Sequence, residues 1–119
     1  MSPFERLHAW RHAHDLFLTI HQCSGEWPKR EWYGLTAQIR RSAFSVAANI
    51  AEGSAKRGPK EFRRFLDMAL GSLAETQYAL KAASDLGYLT AAQYDPLQAK
   101  AQEAGKTLWG LARSLDHRP

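Results

Sequence analysis

Apolar residues recur along this chain at intervals of three and four, and four stretches keep that rhythm. In the last stretch Tyr94, Leu97, Ala101, Ala104, Leu108, Leu111 and Leu115 are spaced 3-4-3-4-3-4. That is the unbroken seam of an amphipathic helix. Leu35, Ile39, Ala43, Val46 and Ile50 form a second stripe, and Phe62, Leu66, Ala69, Leu73, Thr76 and Leu80 a third. Leu7, Trp10, Ala13, Phe17 and Ile20 form the first. The alternation of β-branched residues that marks strands is absent.

Glycine and proline set the predicted boundaries. The first helix covers about residues 5–24 and stops before Gly25-Glu26-Trp27-Pro28, because the residue before a proline is pushed out of the α region. The second covers about 33–55, with Gly53 a candidate for an early end through a left-handed C-cap. The third covers 59–86: Pro59 suits a first helical position, and Gly87 reads as a C-cap. The fourth covers 91–115 and opens on Thr90-Ala91-Ala92-Gln93, a capping box. Pro96 removes one hydrogen bond from its early turns and threatens a kink. Four amphipathic segments with short connections predict a single all-α domain over residues 1–119, an antiparallel up-down-up-down four-helix bundle. Phe44, Phe65, Leu70 and Trp109 fall off the stripes. Either the stripes are wide, or a second apolar face meets another subunit, and the latter is the expectation.

No apolar run approaches the roughly 20 residues that span a bilayer, and the first residues lack a secretory apolar core. The single cysteine, Cys23, has no partner for an internal disulfide. Together these predict a cytoplasmic protein without a membrane role. Sixteen basic against twelve acidic residues leave a formal charge of +4, a mild pull toward polyanions.

Residues of the second and third segments carry a resemblance. Gly34-Leu35-Thr36-Ala37-Gln38-Ile39-Arg40-Arg41 is followed by Asn49-Ile50-Ala51-Glu52-Gly53, then by Glu61-Phe62-Arg63-Arg64-Phe65-Leu66 and Gly71-Ser72-Leu73-Ala74-Glu75. This pattern resembles the four-helix proteins encoded within bacterial 23S rRNA intervening sequences. It is also similar to the accessory variability proteins of diversity-generating retroelements. The resemblance implies a four-helix bundle, a homopentamer around a central channel, and no established enzymatic activity. From the retroelement relatives it implies a basic surface that contacts RNA and a reverse transcriptase. Ala47-Ala48 departs from the pattern, where relatives often carry proline beside a small polar residue. Alanine makes the stretch a better helix former.

Seven cations are the candidates for phosphate contact: Arg40, Arg41, Lys56, Arg57, Lys60, Arg63 and Arg64. A helical hairpin would gather the last five at one tip, and guanidinium forks suit phosphate oxygens. The competing reading is a solvated face with local ion pairs, Arg64 with Asp67 for example. Gln38, Asn49, Glu52, Ser72 and Glu75 read as a polar network near the core, with Arg41 drawn in, that sets helix register. A catalytic pairing of Glu52 with Glu75 is the sharper alternative.

Of the histidines, only Glu5-Arg6-Leu7-His8 matches half of a bundle di-iron motif, with no second copy, so no metal is expected. Neither a nucleotide loop nor a nucleophilic triad is present, so no cofactor and no enzymatic activity are expected. Trp10, Trp27, Trp32 and Trp109 read as core or interface anchors rather than base-stacking platforms. The functional expectation is an oligomeric assembly, a homopentamer by resemblance, that binds RNA or a ribonucleoprotein. The alternative is a protein-interaction scaffold whose charge serves solubility.

Overall fold

Leu7 splits what the apolar rhythm reads as one continuous first helix. In the computed structural model, which describes residues 2–116, Pro3–Arg6 forms a 3₁₀ turn and Leu7 is extended at φ −83°, ψ 125°. The helix α1 therefore begins only at His8 and runs over His8–Ser24. The turn is tied down by the Arg11 guanidinium, whose Nε donates to the Glu5 carbonyl at 2.8 Å. A second 3₁₀ turn, Lys29–Glu31, leads into α2, Leu35–Ser54. Then come α3, Pro59–Asp85, and α4, Ala91–Asp116. Among the described residues there is no strand.

The helix signals in the sequence differ in outcome. At the start of α4 the Thr90 amide donates to Gln93 Oε1 at 2.9 Å, and the Gln93 amide to Thr90 Oγ1 at 3.2 Å. That is the reciprocal pattern of a capping box. Pro96 lies inside α4, which continues to Asp116. Gly58 and Gly87, at φ 81° and 83°, supply the left-handed backbone that the turns around α3 require. Gly53 does not end α2. It is buried in the last turn, where a Cβ would lie 2.7 Å from Phe65 Cβ. Its role is close approach of α2 to α3 rather than termination.

Each helix packs on two neighbours: α1 and α3 both lie against α2 and α4. Ile39, Val46 and Ile50 of α2, Leu66 and Leu80 of α3, and Leu108 of α4 are fully enclosed. Burying each stabilises the fold by roughly 1.5–3 kcal/mol. The α1 stripe is rotated from its expected position. Ala9, Ala13, Leu16 and Ile20 face the core, while Trp10 and Phe17 lie half-buried on the flank. Of the apolar residues off the stripes, Phe65 is buried, whereas Phe44 and Trp109 are exposed. No helix among the described residues is long and apolar enough to cross a membrane. The rod measures 49 × 24 × 23 Å.

Candidate nucleic-acid interface

The seven candidate cations separate into three places. Arg40 is one turn into α2 and reaches back to the end of α1. Its Nε donates to Ser24 Oγ at 2.9 Å and its Nη2 to the His21 carbonyl at 2.7 Å. It therefore caps the C-terminus of α1, where a cation also complements the helix dipole. Arg41 joins α2 to α3 by an ion pair with Glu75, and donates to Gln38 Oε1 at 2.9 Å. Neither side chain belongs to the basic tip.

The other five stand where α2 turns into α3. Arg63 is directed toward α4, where it pairs with Asp116 at 2.9 Å and with Asp67, and its guanidinium lies 5.8 Å from the Trp109 ring. It locks α3 to α4. The ion pair expected between Arg64 and Asp67 is replaced by Arg63–Asp67 and Arg64–Glu61, the latter at 3.0 Å. Lys56 and Arg64 lie over the Phe65 ring, at 5.3 and 4.7 Å from its centroid. The Arg64 hydrogen bond, with Lys56 and Lys60 adding their charge, holds the Glu61 carboxyl below the usual carboxylate range. Arg57 and Lys60 are exposed and have no ion-pair partner among the described residues. Glu52 is exposed near Arg64 and slightly favours its charged form.

The polar network is a seam between α2 and α3 that only partly matches expectation. Ser45 and Ser72 hydroxyls lie 2.9 Å apart, and Asn49 Nδ2 donates to the Ser45 carbonyl at 2.9 Å. Deeper, Thr76 Oγ1 donates to Ser42 Oγ at 2.9 Å. Ser42, Ser45 and Thr76 were not among the expected members, although their i, i+3 and i+4 spacing with Asn49 and Ser72 was visible in the sequence. Glu52 is not a member. It stands eleven residues beyond Arg41, the partner of Glu75, so the two carboxylates are separated by roughly 16 Å along the bundle. The geometry does not bring them together as an acid–base pair.

Two of the histidines pack on aromatic rings: His14 stacks on Trp10 at 4.6 Å, and His21 meets Phe17 edge-on at 5.8 Å. No three His, Cys, Asp or Glu side chains converge on a metal-sized site among the described residues. Burial pushes the Cys23 thiol up, away from the reactive thiolate. An open groove of about 850 Å³ runs between α3 and α4, with Leu70, Ala74, Ala99 and Trp109 in its walls.

The fold and part of the sequence are shared with known proteins. A crystal structure of a protein of unknown function from the S23 ribosomal protein family of Bacteroides thetaiotaomicron VPI-5482 superposes with a TM-score of 0.81. The match covers 88% of this chain and 95% of that one at 24% identity, a likeness of fold. No curated protein matches the chain. The family model described as 23S rRNA-intervening sequence protein matches residues 5–110. With nearly the whole bundle inside that match, the chain belongs to the 23S rRNA-intervening sequence protein family.

Proposed function

We propose that the chain is a cytoplasmic, non-enzymatic, antiparallel up-down-up-down bundle that self-assembles and offers its α2–α3 tip to the phosphates of RNA or a ribonucleoprotein. The antiparallel arrangement is supported by residue pairs that run in opposite directions along three of the four seams. Ser42 meets Thr76 while Ser45 meets Ser72. Arg63 meets Asp116 while Gln98 meets Gln77. Arg40 meets Ser24 while Phe44 meets Phe17.

The observation that carries the reading is the tip itself. Lys56, Arg57, Lys60 and Arg64 share one end of the hairpin, and Arg57 and Lys60 make no ion pair among the described residues. Arg40, Arg41 and Arg63 each tie one helix to another and leave the phosphate-binding set, whereas Arg64 pairs only within its own helix, with Glu61. The family's description names 23S rRNA, which supports an RNA partner. Self-assembly is supported by the exposed Trp109 beside the α3–α4 groove and by Phe44 on the opposite flank. A homopentamer, and kinship with the accessory variability proteins, belong to this proposal as the sequence resemblance implies them.

The test is binding of fluorescent structured RNA and duplex DNA across a salt series, with oligomer mass from light scattering. Phosphate contacts release counterions, so affinity should fall steeply with salt. Arg57→Glu with Lys60→Glu should flatten that slope. An unchanged slope would remove the RNA reading. It would leave the second one, a protein scaffold, which the apolar α3–α4 groove favours.

A further inference from the structure

We infer that the α1–α2 connection is a stacking site for an unpaired nucleotide of single-stranded RNA, separate from the basic tip. Trp32 and Tyr33 lie between the 3₁₀ turn Lys29–Glu31 and α2, and neither belongs to the core. Tyr33 is 95% exposed and Trp32 46% exposed. They line a depression of about 320 Å³ together with Gly25, Thr36 and Arg40. That volume is at the lower end of small-molecule sites, the scale of a single nucleotide.

The chemistry of the walls selects the ligand. Aromatic faces accept the π-face of any base, and such stacking is the main sequence-tolerant contact to single strands. Two cations also stand at the site. Lys29 Nζ lies 5.7 Å over the Trp32 ring, and Arg40 lies in the wall, its guanidinium fixed by His21 and Ser24. Glu31, which precedes Trp32, turns its carboxylate to the Tyr88 hydroxyl and the Leu35 amide, and those bonds favour its charged form, which offsets part of the positive charge. A second observation points the same way. Thr36, only 3% exposed, lines the depression, and its hydroxyl has no hydrogen-bond partner among the described residues. Unmet buried hydroxyls are costly, and a turn of the Thr36 side chain into the depression would give this one a partner on the polar edge of a bound base. The 20-residue α2 sets this site roughly 30 Å from the basic tip.

The probe is a fluorescein-labelled ten-nucleotide oligouridylate, read by anisotropy at low salt, with duplex RNA as comparison. Tyr33→Ala should weaken oligouridylate binding roughly tenfold or more, and change duplex affinity less than about twofold, since paired bases cannot stack on it. Tyr33→Phe should retain the affinity. Light scattering should show the same oligomer for all variants, because Tyr33 has no packing role. Oligouridylate affinity that is undetectable, or equal in wild type and Tyr33→Ala, would overturn the inference. So would a change of oligomer with unchanged affinity, which would assign the patch to a second copy of the chain. Arg57→Glu with Lys60→Glu reports separately on the tip: loss of the Tyr33 effect sinks this site alone, and loss of the tip effect sinks only the earlier proposal.

Discussion

Thr76 Oγ1 donates to Ser42 Oγ at 2.9 Å in the middle of the α2–α3 seam, where both residues are fully buried. Ser42 passes its own proton to the Ile39 carbonyl at 3.2 Å, so its remaining acceptor role depends on Thr76. Removing one partner leaves the other hydroxyl with only a carbonyl of its own helix, Ile39 for Ser42 and Ser72 at 2.8 Å for Thr76, so the contact between them is lost with either variant and lost only once with both. Thr76→Val should cost about 1–2 kcal/mol and Ser42→Ala about 1 kcal/mol. The double variant should cost less than the sum, with a coupling of about 0.5–1.5 kcal/mol. Urea denaturation of the four proteins at one protein concentration measures it, and strict additivity would show that the hydroxyls do not depend on each other.

Gly53 and Gly71 should respond oppositely to the same substitution. A Cβ at Gly53 meets Phe65 Cβ at 2.7 Å and the Phe62 ring at 3.0 Å, whereas at Gly71 it meets nothing within 4 Å. Alanine is favoured over glycine in a helix by about 1 kcal/mol. Overpacking at Gly53 should exceed that gain and leave Gly53→Ala about 1–3 kcal/mol less stable. Gly71→Ala should gain about 0.4–1 kcal/mol. Denaturation midpoints decide the matter, and a stabilised Gly53→Ala would show that α2 and α3 can separate at little cost.

These two positions also show where sequence reasoning reached its limit. Capping chemistry is local, so Thr90 and Gln93 could be paired correctly from four residues. The stripes on α2, α3 and α4 were legible because a 3.6-residue period reports which face is buried. On α1 the rhythm admitted two adjacent faces, and the larger side chains of Trp10 and Phe17 drew the stripe away from Leu16, which is fully buried. Gly53 reads as punctuation unless the neighbouring helix is known. The cations were the least legible, because a partner's identity depends on packing. Arg40 finds the end of α1 sixteen and nineteen residues away, and Arg63 finds Asp116 fifty-three residues away.

Arg40 should therefore behave as a structural residue. Its two hydrogen bonds satisfy groups in the last turn of α1. Charge-assisted bonds of this kind are worth about 1.5–3 kcal/mol when buried, and partial exposure reduces that to about 1–2. Arg40→Met should lower stability by that amount and speed amide exchange near His21 and Ser24. Arg57→Met, with no protein partner among the described residues to lose, should change stability by less than about 0.5 kcal/mol. Equal stability of the two variants would return Arg40 to the free cations.

The Glu31–Tyr88 contact predicts how stability depends on pH. The Tyr88 hydroxyl donates to Glu31 Oε2 at 2.7 Å, and the Leu35 amide donates to Oε1 at 3.2 Å. The Tyr88 bond first, then the Leu35 bond, hold the Glu31 carboxyl below its ordinary value of 4.5. The same bond pushes the Tyr88 phenol above its ordinary 10.0, against the nearby Arg30. For Glu31 the stabilisation is present above 4.5 and is lost as pH falls through the lower native value. For Tyr88 it is present below 10.0 and is lost as pH rises through the higher native value. Tyr88→Phe removes the bond without changing the ring. The stability gap between wild type and this variant should be widest between the two ordinary values and should narrow in acid and in alkali. Carboxyl-carbon NMR should show Glu31 titrating closer to 4.5 in the variant. A gap that stays constant across the range, with Glu31 titrating at the same pH in both proteins, would mean that the hydroxyl contributes nothing through this carboxylate.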